Sequence, residues 1–257
     1  MPGVHHGMDT DWYFATLHPI RSCLTRLAFE KMTKKKQKCV YCNYCESITD
    51  DHVPPKSFFP KPRPSNLITV PSCLECNQGL GKDEEFFLAT FMFSHAGVSE
   101  AGKKLWSEKL NRMYEKNIGL KRKIADHLKR SSLYTPSGIY LGNGMTISTD
   151  EKRFESVVNK ILKGLYYFEY KQPFPANAVI TTIFLNQGDN FEPVKKVAPE
   201  LKLGSRTWDG IFEYRFNRLA DDPAGSIWLF RFWGQAHFWS VTCDEKKKKQ
   251  KLSEANI

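Results

Sequence analysis

The sequence predicts an α+β fold with three consecutive parts, and three observations support this prediction. Two CxxC cysteine pairs stand near the front of the chain, with an acid–histidine pair between them. A stretch rich in lysine and arginine follows, and its apolar residues recur at helical spacing. The C-terminal part then combines one long apolar helical stripe with four β-rich stretches, which predicts an antiparallel sheet with one long helix.

Length and composition limit what this chain can be. Its 257 residues, 41% of them hydrophobic, allow one large domain or two small ones with a real core. The formal net charge of +10 favours polyanionic partners, nucleic acid before anionic membrane. The sequence has no apolar run of about 18 residues, and its N-terminus lacks the basic region followed by an apolar region that is typical of a signal peptide. We therefore expect no transmembrane helix, no membrane partner and a cytoplasmic location.

Composition shifts along the chain predict five segments. Residues 1–32 are expected to be an N-terminal extension, and Met32 is a hypothetical natural start of translation because it directly precedes TKKKQKCVYC. The other predicted segments are a module with the cysteine pairs (33–98), a basic helical connector (99–134), a C-terminal α+β domain without an assigned role (135–245) and a disordered basic tail (246–257).

The cysteine spacing in the first module predicts a metal site. Five of the seven cysteines lie within 38 residues, and in a chain without an export signal this indicates metal binding rather than disulfides. Two CxxC turns supply the four ligands of a closed, structural zinc site. We prefer Cys39 and Cys42 with Cys73 and Cys76 as the ligands. Cys45 would then be a spare thiol, although the overlapping Cys42–Cys45 pair leaves it open as an alternative ligand.

The next elements are predicted from local signals. GLGK (79–82) followed by DEEFF indicates a helix start, because the acids suit the positive end of the helix dipole. Ten lysine or arginine residues against three acids between positions 103 and 130 predict a basic helix or helix pair. That surface is either a solvated helix face or a strip that contacts phosphate.

The C-terminal part is predicted to be a sheet with one helix. Gly142-Asn143-Gly144 is a hairpin-like turn signal, and Ser148 to Glu151 has the pattern of a capping box before an apolar stripe from Phe154 to Tyr166. The predicted strands are 178–185, 210–216, 226–233 and 237–243, and a hairpin at Gly234-Gln235-Ala236 joins the last two.

An acid–histidine pair inside the cysteine frame suggests chemistry. Asp51 and His52 would point to opposite faces of a straight strand, but the bend imposed by Pro54 and Pro55 lets both address one cleft. A neutral imidazole takes a proton from water, and a divalent cation neutralises charge on a scissile phosphate. Mg²⁺ prefers oxygen ligands, which Asp51 and Asn77 can supply.

Taken together, CVYC (39–42), DHVPPK (51–56), Asn66, CLECN (73–77) and Lys82 resemble the motif of the HNH endonucleases in its zinc-framed form. The resemblance covers about residues 36–92 and implies a ββα-metal fold, with a β-hairpin and a helix around one divalent cation. It implies that His52 is the general base, that Asp51 and Asn77 hold the Mg²⁺ or Mn²⁺ ion, and that Asn66 orients the base. The three motif positions are then His52, Asn66 and Asn77, which makes the chain an H-N-N variant of the motif.

The resemblance leads to a functional expectation and a rival. We expect a metal-dependent HNH endonuclease that hydrolyses phosphodiester bonds, with DNA favoured over RNA. Lys56, Arg63 and Lys82 flank the motif and are candidate phosphate contacts. The rival hypothesis is a non-catalytic zinc-knuckle protein that binds nucleic acid, in which DDHVPP (50–55) is only a structural turn.

Overall fold

The computed structural model describes residues 37–95, 99–135, 137–148, 150–185 and 191–248. The predicted N-terminal extension and most of the predicted basic tail lie outside these ranges. The residues from Lys38 onward belong to one compact unit that combines helices and strands. This confirms the predicted α+β class. None of the described helices is long and apolar enough to cross a membrane.

The first module is built on a β-hairpin. Strands β1 (Thr49–Val53) and β2 (Ile68–Ser72) pair antiparallel, and a 3₁₀ helix (Lys56–Phe58) lies in the connection between them. Helix α1 (Leu74–Gln78) follows directly, and helix α2 (Gly81–His95) comes next. Burial alternates along both strands with the period of two that a half-buried sheet requires, so the hairpin has one inner and one outer face.

Helix α2 begins at the predicted place. Asp83 and Glu84 lie in its first turn, where the helix dipole favours negative charge. Its buried aromatic residues then join one core: Phe87 stacks on Phe58 with ring centroids 5.5 Å apart and meets Phe238 at 5.6 Å. Because Phe238 belongs to the C-terminal sheet, this core is shared by segments that the sequence predicts to be separate.

The basic connector is a helix pair that ends in a strand. Helix α3 (Glu100–Leu105), a π-helical turn (Trp106–Leu110) and helix α4 (Asn111–Lys116) run on continuously, and helix α5 (Ile118–His127) follows. Asn117 separates the two helical stretches and caps α5 by accepting a hydrogen bond from the Leu120 N–H group. Residues Leu128–Tyr134 are strand β3, so the prediction of a helical connector is wrong over this last part.

The predicted turn at Gly142-Asn143-Gly144 is also wrong. These residues lie inside strand β4 (Tyr140–Ile147), which pairs with β3. The turn is instead closed by Thr135, whose N–H group donates to the Ile139 carbonyl at 2.8 Å, and Gly138 supplies the positive φ of +86°. Pairing along the strand overrode the local glycine signal, because each of these residues of β4 gains a partner on β3.

The C-terminal sheet has five antiparallel strands in the order β5-β9-β8-β7-β6. Each predicted strand overlaps an observed one. The strands are β5 (Ala178–Leu185), β6 (Lys202–Leu203), β7 (Phe212–Arg218), β8 (Ser226–Phe232) and β9 (Ala236–Asp244). The β8–β9 hairpin turns at Trp233 and Gly234, both at positive φ. A short helix α7 (Glu192–Val197) and a 3₁₀ turn precede β6, and residues 245–248 form a helical turn after β9.

Helix α6 (Glu151–Tyr170) is the predicted long helix, and it touches both halves of the protein. Its N-cap is Asp150, whose side chain accepts a hydrogen bond from the Arg153 N–H group. The sequence predicted a capping box that starts at Ser148, two residues earlier. The predicted apolar stripe is buried: Phe154, Val157, Val158, Ile161, Leu162, Leu165 and Tyr166. Helix α6 contacts β5 of the sheet, helix α2 and both strands of the hairpin.

Gly164 allows α6 to approach the hairpin closely. A Cβ atom at this position would lie 2.6 Å from Val53 Cγ2 and 3.3 Å from the Tyr41 hydroxyl. Val53 is buried and β-branched, so its side chain has little freedom to move aside. The absence of a side chain at Gly164 therefore sets how near the helix lies to strand β1.

We predict that Gly164→Ala lowers the free energy of unfolding by about 1–2 kcal/mol, because overpacking against Val53 outweighs the gain in helix propensity. Urea unfolding followed by circular dichroism measures this change. Gly119→Ala is the matched control: Gly119 is exposed in α5 with its nearest atom 3.5 Å from the added Cβ, so alanine should be neutral or stabilising there. Equal effects at the two sites would contradict the close approach.

Candidate functional site

The two CxxC segments fold into compact turns. In the first, the Cys39 N–H group donates to the Cys45 carbonyl at 2.9 Å, and Asn43 adopts a positive φ of 63°, a conformation that asparagine tolerates better than most residues. In the second, Cys73 caps helix α1, and its sulfur accepts from the Cys76 N–H group at 3.5 Å. Each turn thereby brings its two thiols to the same side.

The hairpin brings the two turns together. The sulfur atoms of Cys39, Cys42, Cys73 and Cys76 all lie within 4.8 Å of one another. Four thiolates around zinc at about 2.3 Å are about 3.8 Å apart in a tetrahedron, so the group fits a metal ion such as zinc after a small contraction. Cys45 is outside the group, although its thiol interacts with Cys42 and Cys73. The clustered set is the one preferred from the sequence.

The thiols differ in how readily they ionise. Burial opposes ionisation of Cys39, but hydrogen bonds from the backbone at Cys73, Cys42 and Tyr41 lower its pKa to about 6. Burial raises the pKa of Cys76, and hydrogen bonding to Cys73 and the negative charge of Cys39 raise it further. Against the effect of burial, backbone hydrogen bonds at Tyr44 and Cys45 also lower the pKa of Cys42. Two thiols that ionise readily beside one that resists ionisation form an arrangement that a cation completes, because a metal binds the deprotonated form.

Asp51 and His52 lie on opposite faces of the hairpin. Both belong to the extended strand β1, where successive side chains alternate. Asp51 is 7% exposed and pairs in register with the buried Val70, while His52 is half-buried opposite the exposed Thr69. The sequence predicted that the proline bend would let the acid and the histidine share one cleft. The structure corrects this, because β1 stays extended through Val53 and the prolines come after it.

The carboxylate of Asp51 is held by three groups of the protein. Its Oδ2 atom accepts from the Tyr41 hydroxyl at 2.9 Å and lies 3.0 Å from Lys160 Nζ. Its Oδ1 atom accepts from the backbone N–H of His52 at 2.9 Å. Lys160 comes from helix α6, one turn before Gly164, so the close approach of the helix at Gly164 delivers the ammonium group to Asp51.

Lys160 also contacts two other elements of the first module. Its Nζ atom lies 2.9 Å from Glu84 Oε1 on α2 and 3.1 Å from the backbone oxygen of Asn77 on α1. A protonated lysine has three donors, and here all three have an oxygen partner. We call Lys160 with Asp51, Glu84 and the Asn77 backbone oxygen the Lys160 cluster.

Charge in the Lys160 cluster keeps the lysine protonated. Burial works against the ammonium, but the carboxylates of Glu84 and Asp51 outweigh it and raise the pKa of Lys160. Burial also raises the pKa of Glu84, and the negative charge of Asp51 adds to this, while Lys160 opposes both. One cation between two acids leaves the cluster short of positive charge.

His52 faces a different environment on the outer side of the hairpin. Burial lowers the pKa of its imidazole, and the positive charges of Lys56 and Arg63 lower it further, against the opposing effect of Asp51 and Asp50. Burial and the two cations therefore favour the neutral imidazole. Arg63 is anchored there, since its Nε donates to the Lys56 carbonyl at 2.8 Å. His52, Lys56 and Arg63 form what we call the outer basic face.

The two asparagines of the predicted motif have structural partners. The Asn66 side-chain oxygen accepts from the Trp208 indole N–H at 3.1 Å, and among the described residues no hydrogen bond joins Asn66 to His52. Asn66 therefore does not orient the histidine in this conformation. The Asn77 amide nitrogen donates to Thr49 Oγ1 at 3.0 Å and to the Asp50 carbonyl at 3.3 Å, which fastens α1 to β1.

Among the described residues, no hydrogen bond or ion pair joins Lys82 to His52, Lys56 or Arg63. Lys82 is exposed at the start of α2, where its carbonyl accepts from Arg153 of α6 at 2.9 Å. Two residues that the sequence reasoning missed, Lys160 and Glu84, are central to the cluster around Asp51. No sequence signal identifies Lys160, because at helical spacing it lies beside Arg153 and Gly164 at the edge of the apolar stripe.

Comparison with known proteins gives no match: no protein-family model fits the chain, and neither curated proteins nor solved structures contain a significant relative.

We predict that Cys42→Ser and Cys76→Ser each abolish stoichiometric zinc binding, because each removes one of four clustered sulfurs. Cys45→Ser is the matched control and should retain one zinc ion per chain. Metal analysis of the purified proteins measures the content, and thermal unfolding with and without a chelator measures the stability that the metal supplies. Loss of zinc in the Cys45 variant but not in the Cys42 variant would contradict this ligand set.

Proposed function

We propose that this protein is an HNH-type endonuclease that hydrolyses phosphodiester bonds, with DNA as the favoured substrate. The observation that carries the proposal is the position of His52, a half-buried imidazole beside Lys56 and Arg63 on the outer face of a cysteine-framed hairpin. The order of elements, two antiparallel strands followed by helices, agrees with the ββα arrangement that the motif resemblance implies.

The outer basic face suits phosphodiester hydrolysis. In the proposed step, His52 takes a proton from water as the water oxygen bonds to phosphorus. The bond from phosphorus to the leaving oxygen breaks, and that oxygen takes a proton from solvent. Lys56 and Arg63 bind the phosphate by charge and thereby offset the negative charge of the transition state. The net charge of +10 adds attraction to nucleic acid that does not depend on sequence.

The predicted Mg²⁺ or Mn²⁺ ion does not fit between Asp51 and Asn77 in this conformation. Both oxygens of Asp51 already accept hydrogen bonds, and Lys160 Nζ lies between Asp51 and the Asn77 backbone oxygen at 3.0 and 3.1 Å. These separations suit an ammonium group, since Mg²⁺ needs oxygen ligands at about 2.0–2.1 Å. The proposed step therefore places no divalent ion at Asp51, and cleavage gels with Mg²⁺, with Mn²⁺ and with EDTA test the metal dependence that the resemblance implies.

The engagement of Asp51 favours the rival function as a second candidate. A zinc-knuckle protein that binds nucleic acid without cleaving it needs only the cysteine group and the outer basic face. In that case Asp51 is a structural partner of Lys160 and Tyr41. The two candidates differ in one measurable respect, which is the length of the nucleic acid after incubation.

We predict that the wild-type protein converts supercoiled plasmid to nicked or linear forms and that His52→Ala lowers the rate by about 10²–10⁴-fold. Agarose gels with added Mg²⁺, with Mn²⁺ and with EDTA measure cleavage and its metal dependence. His127→Ala is the control, because this half-buried histidine lies outside the outer basic face and bonds Ser148. Zinc content and circular dichroism should be the same in all three proteins.

Two results would contradict this proposal. Cleavage by His52→Ala at the wild-type rate would remove the general base. Plasmid that is shifted in native gels but keeps its form under every metal condition would establish the non-catalytic binder.

We predict that replacing Lys56 and Arg63 together by alanine weakens DNA binding equally for unrelated sequences. Removing one phosphate-binding side chain should reduce the slope of log affinity against log salt by about 1, so the double variant should reduce it by about 2. Fluorescence anisotropy over a salt series measures the slope. Lys195→Ala with Lys196→Ala on α7 is the matched control, because both lysines are exposed and outside the outer basic face. An unchanged slope in the Lys56 and Arg63 variant would exclude phosphate binding by these two residues.

A further inference from the structure

The Lys160 cluster has the composition of a cation site that already contains a cation. Three oxygen atoms from β1, α2 and α1 surround Lys160 Nζ at 2.9 to 3.1 Å. The Tyr41 ring faces the ammonium from 5.6 Å, which adds the attraction of a cation to an aromatic face. The side chains of Lys160, Asp51 and Glu84 are 9%, 10% and 14% exposed, so water screens the charges poorly.

Simple stabilisation is a weak explanation for this arrangement. Buried ion pairs pay a large desolvation cost and are often no better than apolar packing of the same volume. The buried residues of α6 are apolar or aromatic apart from Gly164, and the adjoining hairpin face carries Val53 and Val70. A methionine or leucine would therefore suit position 160 if packing were the only requirement, provided that Asp51 and Glu84 were absent too.

We propose that Lys160 is the resident cation of this cluster and that it excludes divalent metal ions from Asp51 while α6 is packed against the hairpin. Asp51 and Glu84 then form a latent divalent-cation site, completed by the backbone oxygen of Asn77. Such oxygen ligands are those that Mg²⁺ and Mn²⁺ prefer. Removing the ammonium, or moving α6 away, opens the site.

The packing of α6 keeps Lys160 beside Asp51. Gly164 holds the helix close to Val53, and Arg153 ties its first turns to Asp83 of α2 at 2.6 Å. Lys160 lies between these two anchors on the same helix. The ammonium cannot leave Asp51 by a large helix movement without breaking the packing at Gly164 or the Arg153–Asp83 ion pair. The identity of the cation at Asp51 is a property separate from cleavage, because Mn²⁺ binding can be measured without nucleic acid.

The experiment measures Mn²⁺ binding to the zinc-loaded full chain by electron paramagnetic resonance and calorimetry. Wild type should show no Mn²⁺ site that depends on Asp51. Lys160→Met keeps an apolar stem of similar length and should bind one Mn²⁺ ion at least about tenfold tighter than wild type, because a like charge no longer stands at the site. Lys163→Met on the same helix is the matched control, since Lys163 Nζ instead faces the Phe174 ring at 5.7 Å. Adding Asp51→Asn to Lys160→Met should abolish the new site.

Stability gives a second readout. Mn²⁺ should raise the Tm of Lys160→Met and leave the Tm of wild type and Lys163→Met unchanged, because only a site in the folded state couples binding to folding. If the Lys160→Met variant is unfolded without Mn²⁺, adding Mn²⁺ should restore the circular dichroism spectrum of the folded protein. The proposal is overturned if Mn²⁺ fails to bind or to restore Lys160→Met. It is also overturned if wild type binds Mn²⁺ at a site that Asp51→Asn removes. That last result would instead support a divalent ion in the proposed nuclease, so the two proposals fail separately.

Discussion

Helix α6 packs on one side against the five-stranded sheet and on the other against the cysteine-framed hairpin, and the rest of the structure depends on this double contact. Aromatic residues provide its apolar part: Phe154 of α6 meets Phe87 of α2 at 5.1 Å, and Phe87 meets Phe232 of the sheet at 5.3 Å. Such pairs add directional attraction to the burial of large side chains. The first module and the C-terminal sheet therefore share one core, with α6 between them.

The same packing gives the two faces of strand β1 different chemistry. The inner face meets α6, so Asp51 exchanges water for the ammonium of Lys160 and the hydroxyl of Tyr41. The outer face stays open to solvent, where His52 remains accessible beside Lys56 and Arg63. Two adjacent residues that look like one functional pair in the sequence thus lie on opposite sides of a strand, one within the protein and one at its surface.

The cysteine group is the local constraint that makes this division possible. A hairpin of two short strands is marginally stable in water, and here the two CxxC turns lie together at its open end, where β1 begins and β2 ends. A metal ion bound by the four sulfurs would link the start of β1 to the end of β2 and so hold the strands in register. In this register, Asp51 pairs with Val70 on the inner face and His52 with Thr69 on the outer face.

Elements with local signals could be predicted before the structure was known. The CxxC spacing favoured the four cysteines that cluster, with Cys45 left as an alternative, and the acids after GLGK located the start of α2. Apolar periodicity outlined α6 and four of the five strands of the sheet, but not the short β6. Only the tertiary structure decided the pairing that turned Gly142 to Gly144 into strand, the partners of Asn66, and the meeting of Asp51 with Lys160. The reason is physical: residues more than 100 positions apart, such as Asp51 and Lys160, meet only because α6 packs on the hairpin, and no local pattern encodes that distance.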